Sequence, residues 1–164
     1  MSEAPRNLAR TVFADPVHVL AFGFGTGLAP LAPGTAGSLA GVLIAWLMLN
    51  VGFLAQIGLA LALVTAGVWI CGESARRLGI HDHGGIVWDE LTAMYIVLIF
   101  SPKSLLAWIL AFALFRVFDI AKPWPIRDLD HRLKGGAGIM LDDLVAALYA
   151  ALSLALGGWL IDLT

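Results

Sequence analysis

Long apolar runs alternate along this chain with short polar joints. Five stand out: Gly37 to Val51, Phe53 to Gly72, Ile86 to Phe100, Ser104 to Phe118, and Leu141 to Ile161. Crossing a bilayer takes about 20 apolar residues, with a range of roughly 17 to 25. The second and fifth runs meet that length. The other three are shorter, so their helices must extend into flanking polar residues, thin the bilayer locally or stop part-way. A further run, Val17 to Leu28, is too short to span and is broken by Gly23, Gly25 and Gly27, which marks it as re-entrant or interfacial. The pattern predicts an all-α, polytopic integral membrane bundle of about five spanning helices, preceded by a short re-entrant or interfacial helix. No internal repeat, soluble linker or low-complexity segment divides the chain, so residues 1–164 read as one domain.

Composition supports lipid as the solvent. Hydrophobic residues make up 60% and charged residues 13% of the chain, against roughly 25% charged in an average globular protein. Mean hydropathy is +0.88. From Pro16 to Gly72 there is no Asp, Glu, Lys or Arg, too few charges to cover a water-facing surface. The single cysteine, Cys71, has no partner for an internal disulfide and no metal-ligand spacing around it, and reads as a buried thiol. Polar residues continue to Asp15 without an apolar core and cleavage site, so the helices themselves are expected to direct insertion.

The charges that remain are sorted by side. Arg6, Arg10, Arg76, Arg77, Arg116, Lys122, Arg127, Arg132 and Lys134 fall at one end of the predicted spans and only Lys103 at the other. By the positive-inside rule the N-terminus is cytoplasmic, and five spans put the C-terminus outside. Every acid except Asp162, and all four histidines, then lie on or near the cytoplasmic side.

Candidate chemistry gathers at the helix boundaries. Asp89 and Glu90 open the third span, Asp119 closes the fourth, and Asp142 and Asp143 open the fifth. Carboxylates are costly at membrane depth and repel when crowded; a divalent cation answers both problems, and hard oxygen donors suit Mg2+. Capping of helix N-termini is the plainer account of four of these acids, but not of Asp119, at a C-terminus where negative charge is disfavoured. Arg116 shares a helix face with Asp119, and Lys122 and Arg127 follow within a Pro-Trp-Pro exit. These cations suit either a lipid phosphate or ordinary anchoring at the headgroups. The turn Pro33-Gly34-Thr35-Ala36-Gly37-Ser38 presents backbone N–H groups, either as an anion cradle or as a plain turn into the membrane. Gly135-Gly136-Ala137-Gly138 before Asp142 invites the same two readings. His81 and His83, just before Asp89, are candidate proton donors or simple loop histidines.

In order and spacing, these stretches resemble the phosphatidylglycerophosphatase A family. They are Gly25-Thr26-Gly27 through Ser38, His81-Asp82-His83-Gly84 with Ile86-Val87-Trp88-Asp89-Glu90, Phe115-Arg116-Val117-Phe118-Asp119 with Lys122-Pro123-Trp124-Pro125-Ile126-Arg127, and Gly135 to Met140 with Asp142-Asp143. The resemblance runs over residues 17 to 155. It implies an all-helical enzyme of the bacterial inner membrane that hydrolyses phosphatidylglycerophosphate to phosphatidylglycerol and inorganic phosphate with Mg2+. Joined to the residue reading, it gives Asp89, Glu90, Asp142 and Asp143 as metal ligands and Asp119 as a further ligand or orienter. Arg116, Lys122, Arg127, Gly34, Thr35 and Ser38 form the phosphate site, and His81 or His83 protonates the leaving oxygen. Bilayer lipids are the expected partners and nucleic acid is not.

Two rivals have weaker sequence support. A small ion or proton transporter using intramembrane carboxylates needs ionisable groups in the outer halves of the spans, where there are none. A CDP-alcohol phosphotransferase needs an Asp-x2-Asp-Gly-x2-Ala-Arg signature that is absent.

Overall fold

A computed structural model describes residues 4–80, 83–124, 126 and 135–162. Among these residues all regular structure is helical. Two short helices, α1 (Ala4–Ala14) and α2 (Pro16–Ala21), lead into a 3₁₀ segment (Gly23–Leu28). Five longer helices follow: α3 (Pro33–Leu47), α4 (Phe53–Leu78), α5 (Trp88–Ile99), α6 (Leu105–Ala121) and α7 (Gly136–Asp162).

These match the five apolar runs, with boundaries moved by local chemistry. The fourth helix continues past Gly72 to Leu78 because Glu73 pairs with Arg76 and Arg77 one turn on, and Gly79 then ends it in the left-handed conformation at φ +68°. In α6 the helix runs past Phe118, so Asp119 lies inside its last turn. Because α7 starts at Gly136, Asp142 and Asp143 sit in its second turn rather than at its start. Two helices, Phe53–Leu78 and the Gly136–Trp159 part of α7, are long and apolar enough to cross a membrane; Pro33–Leu47 is a shorter apolar helix. The first run, Val17 to Leu28, splits into α2 and the 3₁₀ segment, where Phe24 and Gly25 take positive φ. The helix over 4–14 was not anticipated; its Leu8 and Val12 pack into the core.

The centre of the bundle is α5, which packs against α3, α4, α6 and α7. Its residues from Trp88 to Leu98 are nearly all buried, so it carries no polar stripe. The neighbours approach closely where they offer glycine: a Cβ on Gly37 would meet Val87, and one on Gly41 would meet the Leu91 carbonyl and Met94. The outer surface is apolar instead of polar. Leu54 of α4 is 85% exposed and Leu105 of α6 79%, and Leu43, Trp46, Leu152 and Leu156 also face outward. An exterior of this kind fits hydrocarbon rather than water.

Candidate active site

Three separate devices fix the acidic residues. The start of α5 is pinned by the Val87 N–H, which donates to the Ala21 carbonyl at 2.8 Å, and by Trp88 Nε1, which donates to the Leu63 carbonyl at 3.0 Å. Asp89 and Glu90 therefore enter the bundle in the first turn of α5. The start of α7 lies so close to α4 that a Cβ on Gly136 would strike the Val68 carbonyl, and Met140 packs where a Cβ on Gly67 would fall. That contact places Asp143, three residues after Met140, toward α5. The last turn of α6 delivers Asp119.

One carboxylate oxygen from each of Asp89, Glu90 and Asp143 lies within 4.8 Å of the others. Asp89 Oδ1, Glu90 Oε2 and Asp143 Oδ2 are buried without hydrogen-bond partners. Asp89 and Glu90 are at hydrogen-bonding distance from each other, as are Asp143 and Asp119. Asp89, Asp119 and Asp143 are 8, 9 and 4% exposed, so water does little to screen them. Orphaned buried acceptors each forfeit about 1–3 kcal/mol, more when charged. A hard divalent cation supplies the missing partner. Two oxygens on one Mg2+ at about 2.1 Å each stand at most about 4.2 Å apart, so the cluster needs a shift of only about half an ångström to close on an ion. The donor set fits a hard cation and lacks the nitrogen or sulfur that softer metals favour.

Asp142 is oriented elsewhere. Its Oδ2 accepts from Lys122 Nζ at 2.6 Å and its Oδ1 from the Asp143 N–H at 3.0 Å. Successive residues of a helix point about 100° apart, so of this adjacent pair Asp143 joins the cluster and Asp142 meets the cation. Lys122 reaches it from the left-handed C-cap of α6, at φ +41°. A non-glycine residue seldom holds that conformation without a compensating contact.

Arg116 links the acids to α3. Its Nη1 pairs with Asp119 Oδ2 and donates to Ser38 Oγ at 3.4 Å, while its Nε is buried without a partner. Ser38 Oγ in turn donates to the Gly34 carbonyl at 2.8 Å. A Cβ on Gly34 would collide with Glu90 Oε1 and lie 3.2 Å from both terminal nitrogens of Arg116. Glycine is thus required there by close approach. No side chain caps α3, and Thr35 is half-buried in its first turn. The positive end of the helix dipole accordingly adjoins Arg116 and Glu90.

The partners of His83 are Phe22, at a ring separation of 5.4 Å, and the Gly85 N–H, which donates to Nδ1 at 3.0 Å. Its imidazole is thus tied to the loop rather than to the carboxylates. His81 and Arg127 lie outside the described residues. Sequence reasoning passed over Thr92, one turn along α5 from Asp89, whose buried hydroxyl also lacks a partner; its i+3 spacing from Asp89 was the available signal.

Fold and site together define a class: an all-helical protein with an apolar exterior and a buried centre of hard oxygen donors, flanked by cations suited to a phosphate. The chain belongs to the phosphatidylglycerophosphatase A family, whose family model matches residues 19–157. It is 45% identical over 152 residues to phosphatidylglycerophosphatase A of Haemophilus influenzae, covering 88% of this chain and 90% of that one. It is 42% identical over 144 residues to phosphatidylglycerophosphatase A of Escherichia coli K12, covering 87% and 84%. A Bacteroides thetaiotaomicron protein with the provisional name phosphatidylinositol-3-phosphatase is 38% identical over 148 residues, covering 85% and 91%. No solved structure matches. The chain is a phosphoric monoester hydrolase.

Proposed function

We propose that the chain hydrolyses phosphatidylglycerophosphate to phosphatidylglycerol and inorganic phosphate, using Mg2+ at the cytoplasmic face of a bacterial inner membrane. The observation that carries this reading is the meeting of three unpartnered carboxylate oxygens, from Asp89, Glu90 and Asp143, beside Arg116. These three residues would hold the cation. When bound, it supplies Lewis acidity and lowers the pKa of water at the site. Arg116 and the start of α3, with Gly34, Thr35 and Ser38, orient the phosphate and offset its charge, which is most of what phosphoryl transfer requires. Asp119 acts as a positioning residue: it holds Arg116 on one side and faces Asp143 on the other. Lys122 and Asp142 form a neutral pair at the rim, and Arg127 is a further cation for the headgroup. A water oxygen bonds to phosphorus, the bond from phosphorus to the glycerol oxygen breaks, and that oxygen takes a proton, for which His81 and His83 are the candidate donors.

Five spans, α3 to α7, are part of the same reading. The ends of α4 and α6 and the starts of α3, α5 and α7 carry the acids and cations. The opposite end holds Lys103, whose Nζ donates to the Leu49 carbonyl at 2.7 Å. The nine-to-one division of Lys and Arg supports a cytoplasmic N-terminus. Acids gathered at one end, rather than strung through the bundle, suit catalysis on a headgroup better than ion conduction.

Phosphate release by the purified chain, with phosphatidylglycerophosphate and phosphatidylinositol 3-phosphate offered separately, tests the substrate. Turnover of the first at a rate well above the second is expected. A preference for the inositol lipid would replace the proposed substrate.

A further inference from the structure

Away from the acids, α6 and α7 part to leave a groove of about 360 Å³, lined mainly by Leu106, Leu110, Leu114, Leu154, Gly157 and Gly158. It begins five residues from Asp119 at Leu114 and extends to Leu106, thirteen residues away. At 1.5 Å per residue these are depths of about 7.5 and 20 Å below the carboxylates. The hydrocarbon of one leaflet is about 15 Å deep. A lipid whose phosphate lies at the acidic centre would therefore carry the far half of an acyl chain alongside this groove. The same two helices bear both the groove and the site.

The groove is made by missing side chains. A Cβ on Gly157 or Gly158 would meet nothing within 4 Å, so neither glycine is there to let another helix approach. Each costs a helix roughly 1 kcal/mol relative to alanine. Two adjacent glycines facing a leucine row leave room where the fold itself does not need it.

We propose that this groove receives one acyl chain of the substrate and sets the chain-length preference, an inference that rests on the lipid-phosphatase reading. Discrimination here comes from packing, because bilayer lipid is as apolar as the groove. Filling the groove removes contacts only from chains long enough to reach it.

The test uses the full-length protein in mixed micelles, with dipalmitoyl and dihexanoyl phosphatidylglycerophosphate compared side by side. Gly157→Leu fills the groove from α7, into open space, and Leu110→Trp fills it from α6. Each is expected to raise KM for the dipalmitoyl lipid about fivefold, the loss of roughly ten carbon–carbon contacts. The kcat, and the KM for the dihexanoyl lipid, stay as in wild type. Equal shifts for both lipids, no shift for either, or a shift that tracks altered self-association of the chain would overturn the acyl-chain assignment while leaving the phosphatase reading intact. A wild-type protein that releases phosphate from neither lipid would overturn both.

Discussion

Lys122 Nζ and Asp142 Oδ2 stand 2.6 Å apart and join the C-cap of α6 to the second turn of α7. Asp142 is 7% exposed, so the cation spares the bundle a nearly buried charge next to the residue that turns into the acidic centre. Truncating one member leaves the other uncompensated. Lys122→Met is expected to lower stability by roughly 1–3 kcal/mol, below the range for a fully buried pair because the lysine is partly exposed. Lys122→Met with Asp142→Asn should lose less than the sum of the single changes. Thermal unfolding in detergent of the four proteins in this cycle measures the coupling; strict additivity would show that the contact is energetically idle.

Gly34 tests the junction of α3 with the site. Alanine there would place its methyl against Glu90 and Arg116, and those side chains must move to admit it. Gly34→Ala is expected to lower kcat/KM at least tenfold, equivalent to about 1.4 kcal/mol, and to raise the Mg2+ concentration needed for half-maximal rate. Gly58→Ala, in α4 where a Cβ meets nothing within 4 Å, is the matched control and should be silent.

How much of this was legible beforehand follows from what periodicity encodes. Apolar runs give the number of helices and the end at which each acid lies, and i, i+3 spacing gives the Arg116–Asp119 pair. They do not give the rotation of a helix about its axis. Asp142 and Asp143 are equivalent as an adjacent pair in sequence, and only the packing of Gly136 and Met140 on α4 decides which one faces Asp89. Likewise the proximity of Gly34 to Glu90 is a tertiary contact, while the sequence shows only a glycine near a helix start. Short helices were legible as short, but not the reason: α5 is central and covered on all sides. The family motifs pointed to the right residues without that geometry.

The N-terminal helices are held by charge at the other side of α4. Asp15 caps α2 through the Val17 N–H and pairs with Arg77 Nη1 at 2.6 Å. The Arg77 hydrogen bond, helped by the Val17 N–H, holds the Asp15 carboxyl below the usual carboxylate range. A lowered folded-state pKa means the contribution is complete above the unfolded value and is lost as pH falls through the folded one. Amide exchange in α1 and α2 is therefore expected to stay slow from neutral pH down to the ordinary carboxylate range and to quicken only below it. In Asp15→Asn it should be faster at neutral pH and lack that acid step. Identical exchange profiles in the two proteins would remove Asp15 as the tether.

The acidic centre makes a prediction that a set of helix caps does not. Without metal, Asp89, Glu90 and Asp143 hold buried oxygens with no partner, so removing charge from the group relieves repulsion and desolvation together. Asp89→Asn and Asp143→Asn should then be as stable as wild type, or more so, in chelator. With Mg2+ the order reverses: a ligand that binds only the folded state stabilises it by RT ln(1 + [L]/Kd), about 2.7 kcal/mol at a hundredfold excess over Kd. Wild type alone should gain this increment, seen as a Mg2+-dependent rise in Tm that both variants lack. Capping predicts the opposite signature, with both variants destabilised by about 1 kcal/mol in chelator and metal indifferent in all three proteins. The crossing of the stability order between chelator and Mg2+ separates the two accounts without depending on turnover, because it reads the cation's hold on the folded chain directly.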